Sequence, residues 1–123
     1  MGDADQHERR RVLERVLRAE PSIREDVGVL RGFPFDACEP LALLTLDIAR
    51  GVLARHADGQ ITDEDLVAWA DALEIRDDVA LEPAFEDTLR ECLFELAEPV
   101  LTGKPTSALA AEWSERLGQI PAR

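Results

Sequence analysis

The apolar positions of this chain recur mostly three and four residues apart, which is the period of one face of an α-helix. Over residues 5–19 the pattern predicts a first amphipathic helix, whose apolar face consists of Val12, Leu13, Val16 and Leu17. A second, shorter helix is predicted to start at Pro21, because proline fits a first helical turn, and to end at Gly32 and Pro34. Its apolar positions are Ile23, Val27 and Leu30.

The middle of the chain carries the most continuous apolar run. From Pro40 to about Ala57 the residues are apolar around most of the helical circumference, and the polar stripe that remains is narrow, consisting of Asp47, Arg50 and Arg55. We interpret this run as a central helix. We find no alternating pattern typical of a strand, and no internal repeat, anywhere in the sequence.

Three further helices are predicted after the central one. Thr62 and Asp65 have the spacing of a capping box, with Asp in place of Glu, and they precede an apolar helical face of Leu66, Trp69, Ala70 and Leu73. Pro83 is predicted to open the fifth helix and Pro99 to stop it; its apolar face is Phe85, Leu89, Cys92, Leu93 and Leu96. The last helix, bounded by Gly118 and Pro121, aligns Leu109, Trp113 and Leu117.

These elements predict an all-α fold, a single-domain bundle of about five to six helices over residues 1–123, with residues 1–4 disordered. Trp69 and Trp113 both lie on apolar stripes and are expected in the core. The composition agrees, because 46% of the residues are hydrophobic but only 5% are aromatic, and Leu and Ala outnumber the types that strands favour. A chain of this length can bury roughly two-thirds of its unfolded surface.

The N-terminal sequence lacks the apolar stretch of a secretory signal, and no apolar run is long enough to span a membrane, so a cytoplasmic location is expected. Two cysteines, Cys38 and Cys92, are too few to indicate a disulfide framework and are expected to be reduced thiols.

The net charge of −12 is the most informative feature of the composition. Residues 58–98 contain fourteen acids and only two bases, Arg76 and Arg90, so this window carries the whole excess. Such a charge opposes binding to nucleic acid and to anionic membranes. It favours a basic protein as the partner.

Known catalytic and metal-binding patterns do not fit the sequence. Gly59 and Ile61 resemble the centre of an EF-hand loop, but the calcium ligands that this register requires at Ala54 and His56 are missing. Neither His7 nor His56 has the context of a general base, no acid of the fifth helix has a histidine one turn away, and no glycine-rich phosphate loop is present. We therefore expect no catalytic site, no metal and no cofactor, and a carboxylate site at Asp77 and Asp78 is the weakest alternative.

A recognition surface is the remaining candidate. At 100° per residue, the fourth helix places four acids around Val67 and opposite its apolar face: Asp63, Glu64, Asp71 and Glu74. The fifth helix places Phe94 among three acids that we include in the surface: Asp87, Glu91 and Glu95. The loop acids Asp77 and Asp78 complete the set. Two alternatives stay open: Phe94 packs under the linker or against the last helix, and Asp78 only shapes a turn.

The segments LVAWADALEIRDDV and LFELAEPVLTG, followed by a last helix that contains a tryptophan, resemble small all-helical bacterial immunity proteins of the colicin-D type. The resemblance covers about residues 58–117 and rests on Trp69, Leu73, Glu74, Arg76, Asp77, Asp78, Leu96, Pro99 and Trp113. It implies an acidic helical protein that blocks a cognate toxin, without identifying individual interface residues.

The leading hypothesis is therefore a non-enzymatic acidic binding module, in the manner of an immunity or inhibitor protein, that meets a basic partner with its fourth and fifth helices. The alternative is a structural or regulatory helical domain that self-associates through an apolar patch, with the acids serving solubility.

Overall fold

The computed structural model describes residues 3–20, 23–33, 40–74, 76 and 78–120. This part of the chain is mostly helical, which confirms the all-α prediction. In chain order the helices are α1 Asp3–Leu17, α2 Ile23–Leu30, α3 Leu46–Ala57, α4 Asp63–Glu74, α5 Glu86–Ala97, α6 Pro99–Thr102 and α7 Thr106–Gly118. A 3₁₀ turn, Pro83–Phe85, precedes α5, and two short strands, β1 Ala42–Leu44 and β2 Val79–Leu81, form a parallel pair.

The hydrophobic core lies around α4. This helix packs mainly against α5 and α2, while α3 packs against α7 and α1 against α2. Both tryptophans are in the core, as predicted, because Trp69 is 0% exposed and Trp113 is 1% exposed. The indole Nε1 of Trp69 donates a hydrogen bond to the backbone oxygen of Leu17 at 2.9 Å. This bond fastens α4 to the last turn of α1 and satisfies a buried donor.

The strand pair was not predicted, and the prediction of a helix from Pro40 is wrong at its start. In β1, Ala42 and Leu44 are buried whereas Leu43 is exposed. Because Leu43 is itself apolar, this alternation of burial leaves no alternation of residue types in the sequence. The register aligns Ala42 with Val79 and Leu44 with Leu81.

The helix α3 begins at Leu46 because two side chains satisfy its first backbone amides there. The Oγ1 of Thr45 accepts a hydrogen bond from the amide of Ile48 at 3.1 Å. A carboxylate oxygen of Glu82 accepts one from the amide of Leu46 at 2.8 Å. Since Glu82 directly follows β2, the strand pairing itself brings this second cap to the helix.

The arginines of α3 hold the ends of other helices. Arg50 donates to the backbone oxygen of Leu117 at the end of α7, and Arg55 donates to those of Arg18 and Ala19 after α1. A positive charge at the C-terminal end of a helix favours both its free carbonyls and its dipole. The two arginines of the predicted polar stripe therefore connect α3 to other helices, whereas Asp47, its third member, is exposed.

Some predictions concern the ends of the chain and the linkers between helices. The first helix begins at Asp3, within the segment 1–4 for which disorder is predicted, and residues 1 and 2 lie outside the described part of the chain. Several predicted features lie outside the described residues: the helix start at Pro21, the stop at Pro34, the thiol of Cys38, the loop acid Asp77 and the terminal Pro121.

Candidate functional site

Asp78 does not belong to a recognition surface, because its side chain is completely buried. Its Oδ2 accepts hydrogen bonds from Arg9 Nε and from Arg76 Nη2, both at 2.9 Å, and its Oδ1 accepts one from Arg76 Nε at 2.8 Å. Both arginines are buried as well. This buried ion cluster joins α1 to the loop before β2. The prediction that Asp78 faces a partner is therefore wrong, and Asp77 lies outside the described residues.

The acids predicted on the outer side of α4 are brought together around Val67. Asp63, Glu64 and Asp71 are exposed, and with Val67, Ala68 and Thr106 they line a shallow groove of about 510 Å³ that we call the Val67 groove. Thr106 begins α7, so the groove runs between α4 and the start of that helix. Three of the four acids predicted around Val67 line this groove, whereas the fourth, Glu74, does not.

Phe94 is 48% exposed, so about half of its side chain faces solvent. It lies in a second open groove, of about 450 Å³, which we call the Phe94 groove and which is lined by Glu74, Asp87, Arg90, Glu91 and Phe94. Four of these five residues were predicted for the surface. Arg90 was not, and its guanidinium pairs with Glu86 one turn earlier at 2.7 Å.

Two acids of α5 turn partly towards α7. The Oε1 of Glu95 accepts a hydrogen bond from the Nε1 of Trp113 at 3.0 Å. The Oε1 of Glu91 lies 3.6 Å from the guanidinium of Arg116, which itself stacks 3.8 Å above the ring centre of Trp113. Glu95 therefore has a structural role in satisfying a buried indole, and Glu91 is only weakly paired at the surface.

Glu74, the last residue of α4, lines the Phe94 groove, whereas Asp71, one turn earlier, lines the Val67 groove. Glu74 follows Asp71 by three residues on α4, and it is close enough to both Asp71 and Glu98 for their charges to act on it. Partial burial, and then repulsion by Asp71 and Glu98, raises the pKa of Glu74 above its ordinary value of 4.5. Neither helix has a basic residue in its last turn, so the helix dipoles add to the negative potential.

Four of the six acids that line the two grooves form no ion pair among the described residues. Within the described residues, no ion pair involves Glu64, Asp71, Glu74 or Asp87, whereas Asp63 lies 2.7 Å from the Nε2 of His56. The arginines of α1 point elsewhere: Arg9 binds Asp78, and Arg15 binds Asp26. The negative charge of the grooves is therefore not neutralised by the opening helix.

We expect Glu74→Gln to stabilise the protein at pH 7. A raised pKa means that the folded chain binds this proton more tightly than the unfolded chain, so ionisation of Glu74 destabilises the fold as the pH rises above 4.5. The urea midpoint of the variant should exceed that of the wild type at pH 7, and the difference should disappear below about pH 4. Glu64→Gln, an exposed acid in the favourable first turn of α4, is the control and should give no gain.

Two apolar residues beside this region were missed by the sequence reasoning. Val100 is 87% exposed and Leu101 is 66% exposed, both in the short helix α6. From the sequence, the fifth helix is predicted to end at Pro99 and no element is assigned before the last helix, and two consecutive large apolar residues in that stretch were the available signal. Their exposure extends the candidate surface beyond α5.

We also searched the described part of the chain for a reactive thiol, a metal site and a membrane-spanning helix. Cys92 is a buried free thiol, and burial raises its pKa to about 12, which leaves almost no reactive thiolate at neutral pH. The described residues include no group of three or more His, Cys, Asp or Glu side chains placed to hold a metal ion. None of the described helices is both long and apolar enough to cross a bilayer.

No protein-family model, no curated protein and no solved structure matches this chain. The likeness to immunity proteins thus stays a prediction from the residues. Any functional conclusion has to be argued from the two grooves and their charges.

Proposed function

We propose that the chain is a non-enzymatic protein-binding module that receives a basic protein on the outer faces of α4 and α5. One observation carries the proposal: a half-exposed phenylalanine, Phe94, lies in a groove whose other walls include Glu74, Asp87 and Glu91. Aromatic residues ringed by polar groups are typical anchors of protein interfaces. The surrounding carboxylates favour a positively charged partner.

The distribution of the basic residues supports the same conclusion. Arg9 and Arg76 bind the buried Asp78. Arg50 and Arg55 donate to backbone oxygens at the ends of other helices, so these four positive charges are used in contacts within the structure. Of the acids on α4 and α5, Glu64, Asp71 and Asp87 are exposed and form no ion pair among the described residues. The negative electrostatic potential of such a surface accelerates the association of a cationic protein and repels acidic proteins.

An immunity or inhibitor role is the specific form of the proposal. A toxin that acts on nucleic acid needs a basic groove for the phosphate backbone. An acidic helical surface with an aromatic anchor can occupy such a groove and exclude the substrate. The resemblance of residues 58–117 to immunity proteins of the colicin-D type points to the same class of partner.

Self-association is the second candidate, and the exposed apolar residues Phe94, Val100 and Leu101 favour it. A symmetric contact through them would, however, bring Glu91 and Glu98 of the two copies together. Like charges in an interface oppose association. A basic partner suits the same residues better.

A charge-reversal experiment tests the proposal. The test variant carries Asp71→Lys, Glu74→Lys and Asp87→Lys, which reverse the charge at three positions. These acids are exposed or half-buried and form no ion pair among the described residues. The immobilised variant should fail to retain basic proteins that the wild type captures from an extract of its native cells at moderate salt. If a captured protein arrests growth when it is expressed alone, coexpression of the wild-type chain should restore growth.

The matched control reverses three other exposed acids, Glu14→Lys, Glu25→Lys and Asp58→Lys, on α1, α2 and the turn after α3. It changes the net charge by the same amount and should retain the same basic proteins as the wild type. Equal losses in both triple variants would mean that only the overall charge matters. Equal retention by all three proteins would reject the proposed surface.

A further inference from the structure

The strand β2 pairs with β1 along one edge, and its other edge faces away from β1. Asp78, directly before β2, accepts a backbone hydrogen bond from β1 at 3.2 Å, and Glu82, directly after it, donates one to β1 at 2.9 Å. The backbone groups of successive residues in a strand point to opposite edges. Those of Val79 and Leu81 therefore point away from β1.

This outer edge of β2 has unpaired backbone groups. Among the described residues, the N–H and C=O groups of Val79 and Leu81 have no hydrogen-bond partner. The outer edge of β1 differs, because α1 packs beside that strand and Arg10 donates to the backbone oxygen of Leu41, just before it, at 3.1 Å. Strand edges with unpaired groups are sites at which another chain can add a strand.

The outer edge of β2 borders a cleft of about 220 Å³, which also contacts the end of α4 and one side of α5 and which we call the β2 cleft. The buried residues of its lining, Leu73, Val79 and Leu93, give it an apolar base. Glu86 and Arg90 are exposed and form its α5 side. The unpaired groups thus lie beside a cleft with both apolar and charged walls.

The charges of the β2 cleft favour a basic occupant. The cleft shares Glu74 and Arg90 with the Phe94 groove, so the two are adjacent. Of the two arginines that line the cleft, Arg90 is paired within α5 and Arg76 belongs to the buried ion cluster. Glu74 forms no ion pair among the described residues and is repelled by Asp71 and Glu98. A positive side chain in the cleft would relieve this repulsion.

We propose that the outer edge of β2 binds an extended segment of the basic partner, which adds a strand to β2 and places a lysine or arginine beside Glu74. The inference rests on the proposed function and specifies the partner's docking element. Main-chain hydrogen bonds to Val79 and Leu81 would provide affinity, and alternate apolar side chains would contact the base of the cleft. A helix cannot take this role, because its backbone groups are paired within the helix.

Two labelled peptides of six residues, with lysine and valine in alternation, test the inference by fluorescence anisotropy. The first is unmodified, and the second is N-methylated at every residue. The second keeps all charges and side chains but has no N–H group to pair with a strand. It should bind the wild-type chain about tenfold more weakly than the first, because it loses main-chain hydrogen bonds. Equal affinities would overturn the proposal.

Amide exchange, followed by NMR, locates the contact in the wild-type chain. Without peptide, the amides of Val79 and Leu81 should exchange faster than that of Glu82, which is bonded to β1. The unmodified peptide should slow exchange at Val79 and Leu81 several-fold. Leu43, whose amide faces the outer edge of β1, is the control and should not change. Unchanged exchange at Val79 and Leu81 would also overturn strand addition.

A pair of variants at Leu81 isolates the backbone donor. Leu81→Pro removes the outward N–H without removing a bond to β1, and proline is tolerated at such a position of an edge strand. Leu81→Ala loses most of the same half-buried side chain but keeps the N–H. The proline variant should bind the unmodified peptide about tenfold more weakly than the alanine variant. Helical circular dichroism checks both folds, and equal affinities would contradict the proposal.

The outcomes separate this inference from the proposed function. If the Asp71, Glu74 and Asp87 reversal abolishes capture of basic proteins but the peptide protects neither Val79 nor Leu81, the binding module stands and strand addition is overturned. If capture survives the reversal but the peptide protects both amides, the proposed surface fails and strand addition at β2 is supported. A dimer in sedimentation that protects both amides without peptide would assign the edge to a second copy and overturn the basic partner.

Discussion

Replacing Asp78 with alanine is expected to lower the free energy of unfolding by about 3–5 kcal/mol. The carboxylate is fully buried between Arg9 and Arg76, and both of its oxygens accept hydrogen bonds from guanidinium groups. Its removal breaks three charge-assisted hydrogen bonds and takes the carboxylate away from two buried guanidinium groups. Removing one member of a buried ion cluster costs more than the net contribution of the cluster, because the remaining charges keep their desolvation penalty.

Urea denaturation followed by circular dichroism measures this loss at pH 7. Asp58→Ala, an exposed acid in the turn after α3, is the control and should change the stability by less than about 0.5 kcal/mol. Asp78→Asn keeps the size of the side chain and should still lose most of the stability, because the amide carries no charge. A loss below about 1 kcal/mol in both Asp78 variants would contradict the buried cluster.

Trp69→Ala is expected to destabilise the fold by about 3–5 kcal/mol. The indole is 0% exposed and lies where α4 meets its neighbours, so alanine would leave a large cavity. The substitution also removes the donor for the backbone oxygen of Leu17. Both effects weaken the attachment of α1 to α4.

A second substitution separates the two contributions. Trp69→Phe retains much of the apolar volume but leaves the Leu17 oxygen without its donor, and should cost less than the alanine variant, about 1–3 kcal/mol. Val67→Ala, a half-buried residue on the outer side of the same helix, is the control and should cost less than either. Stability is read from thermal and urea unfolding. A similar effect at Val67 and Trp69 would mean that the indole is not the centre of the core.

The helices were predictable because the signals that specify them are local. The apolar face of α4 follows directly from its residue spacing, and the Oγ1 of Thr62 accepts from the amide of Asp65 at 3.0 Å, as half of a capping box requires. The other half is absent, because the carboxylate of Asp65 pairs with Arg24 of α2 instead. Local spacing thus predicted where α4 starts, whereas the pairing of the Asp65 side chain depends on Arg24, which is distant in sequence.

The features that sequence reasoning missed depend on contacts between distant residues. Asp78 is drawn inside by Arg9, which lies 69 positions earlier, and an acid beside another acid in a loop gives no sign of this. β1 needs β2 as a partner, and its residues alone fit a helix equally well. For the candidate surface, spacing predicted acids around Val67 and Phe94, but the exposure of Phe94 depends on tertiary packing and could only be left open.

The parallel strand pair has a consequence for the order of folding. β1 and β2 join segments that are separated by the whole of α3 and α4, and each strand contributes only three residues. Closing such a long loop is entropically unfavourable, and so few ladder bonds cannot compensate for it alone. We expect the strands to pair only after α3 and α4 have docked, so that slowed amide exchange at Ala80 would report completion of the native topology, whereas helical ellipticity would develop earlier.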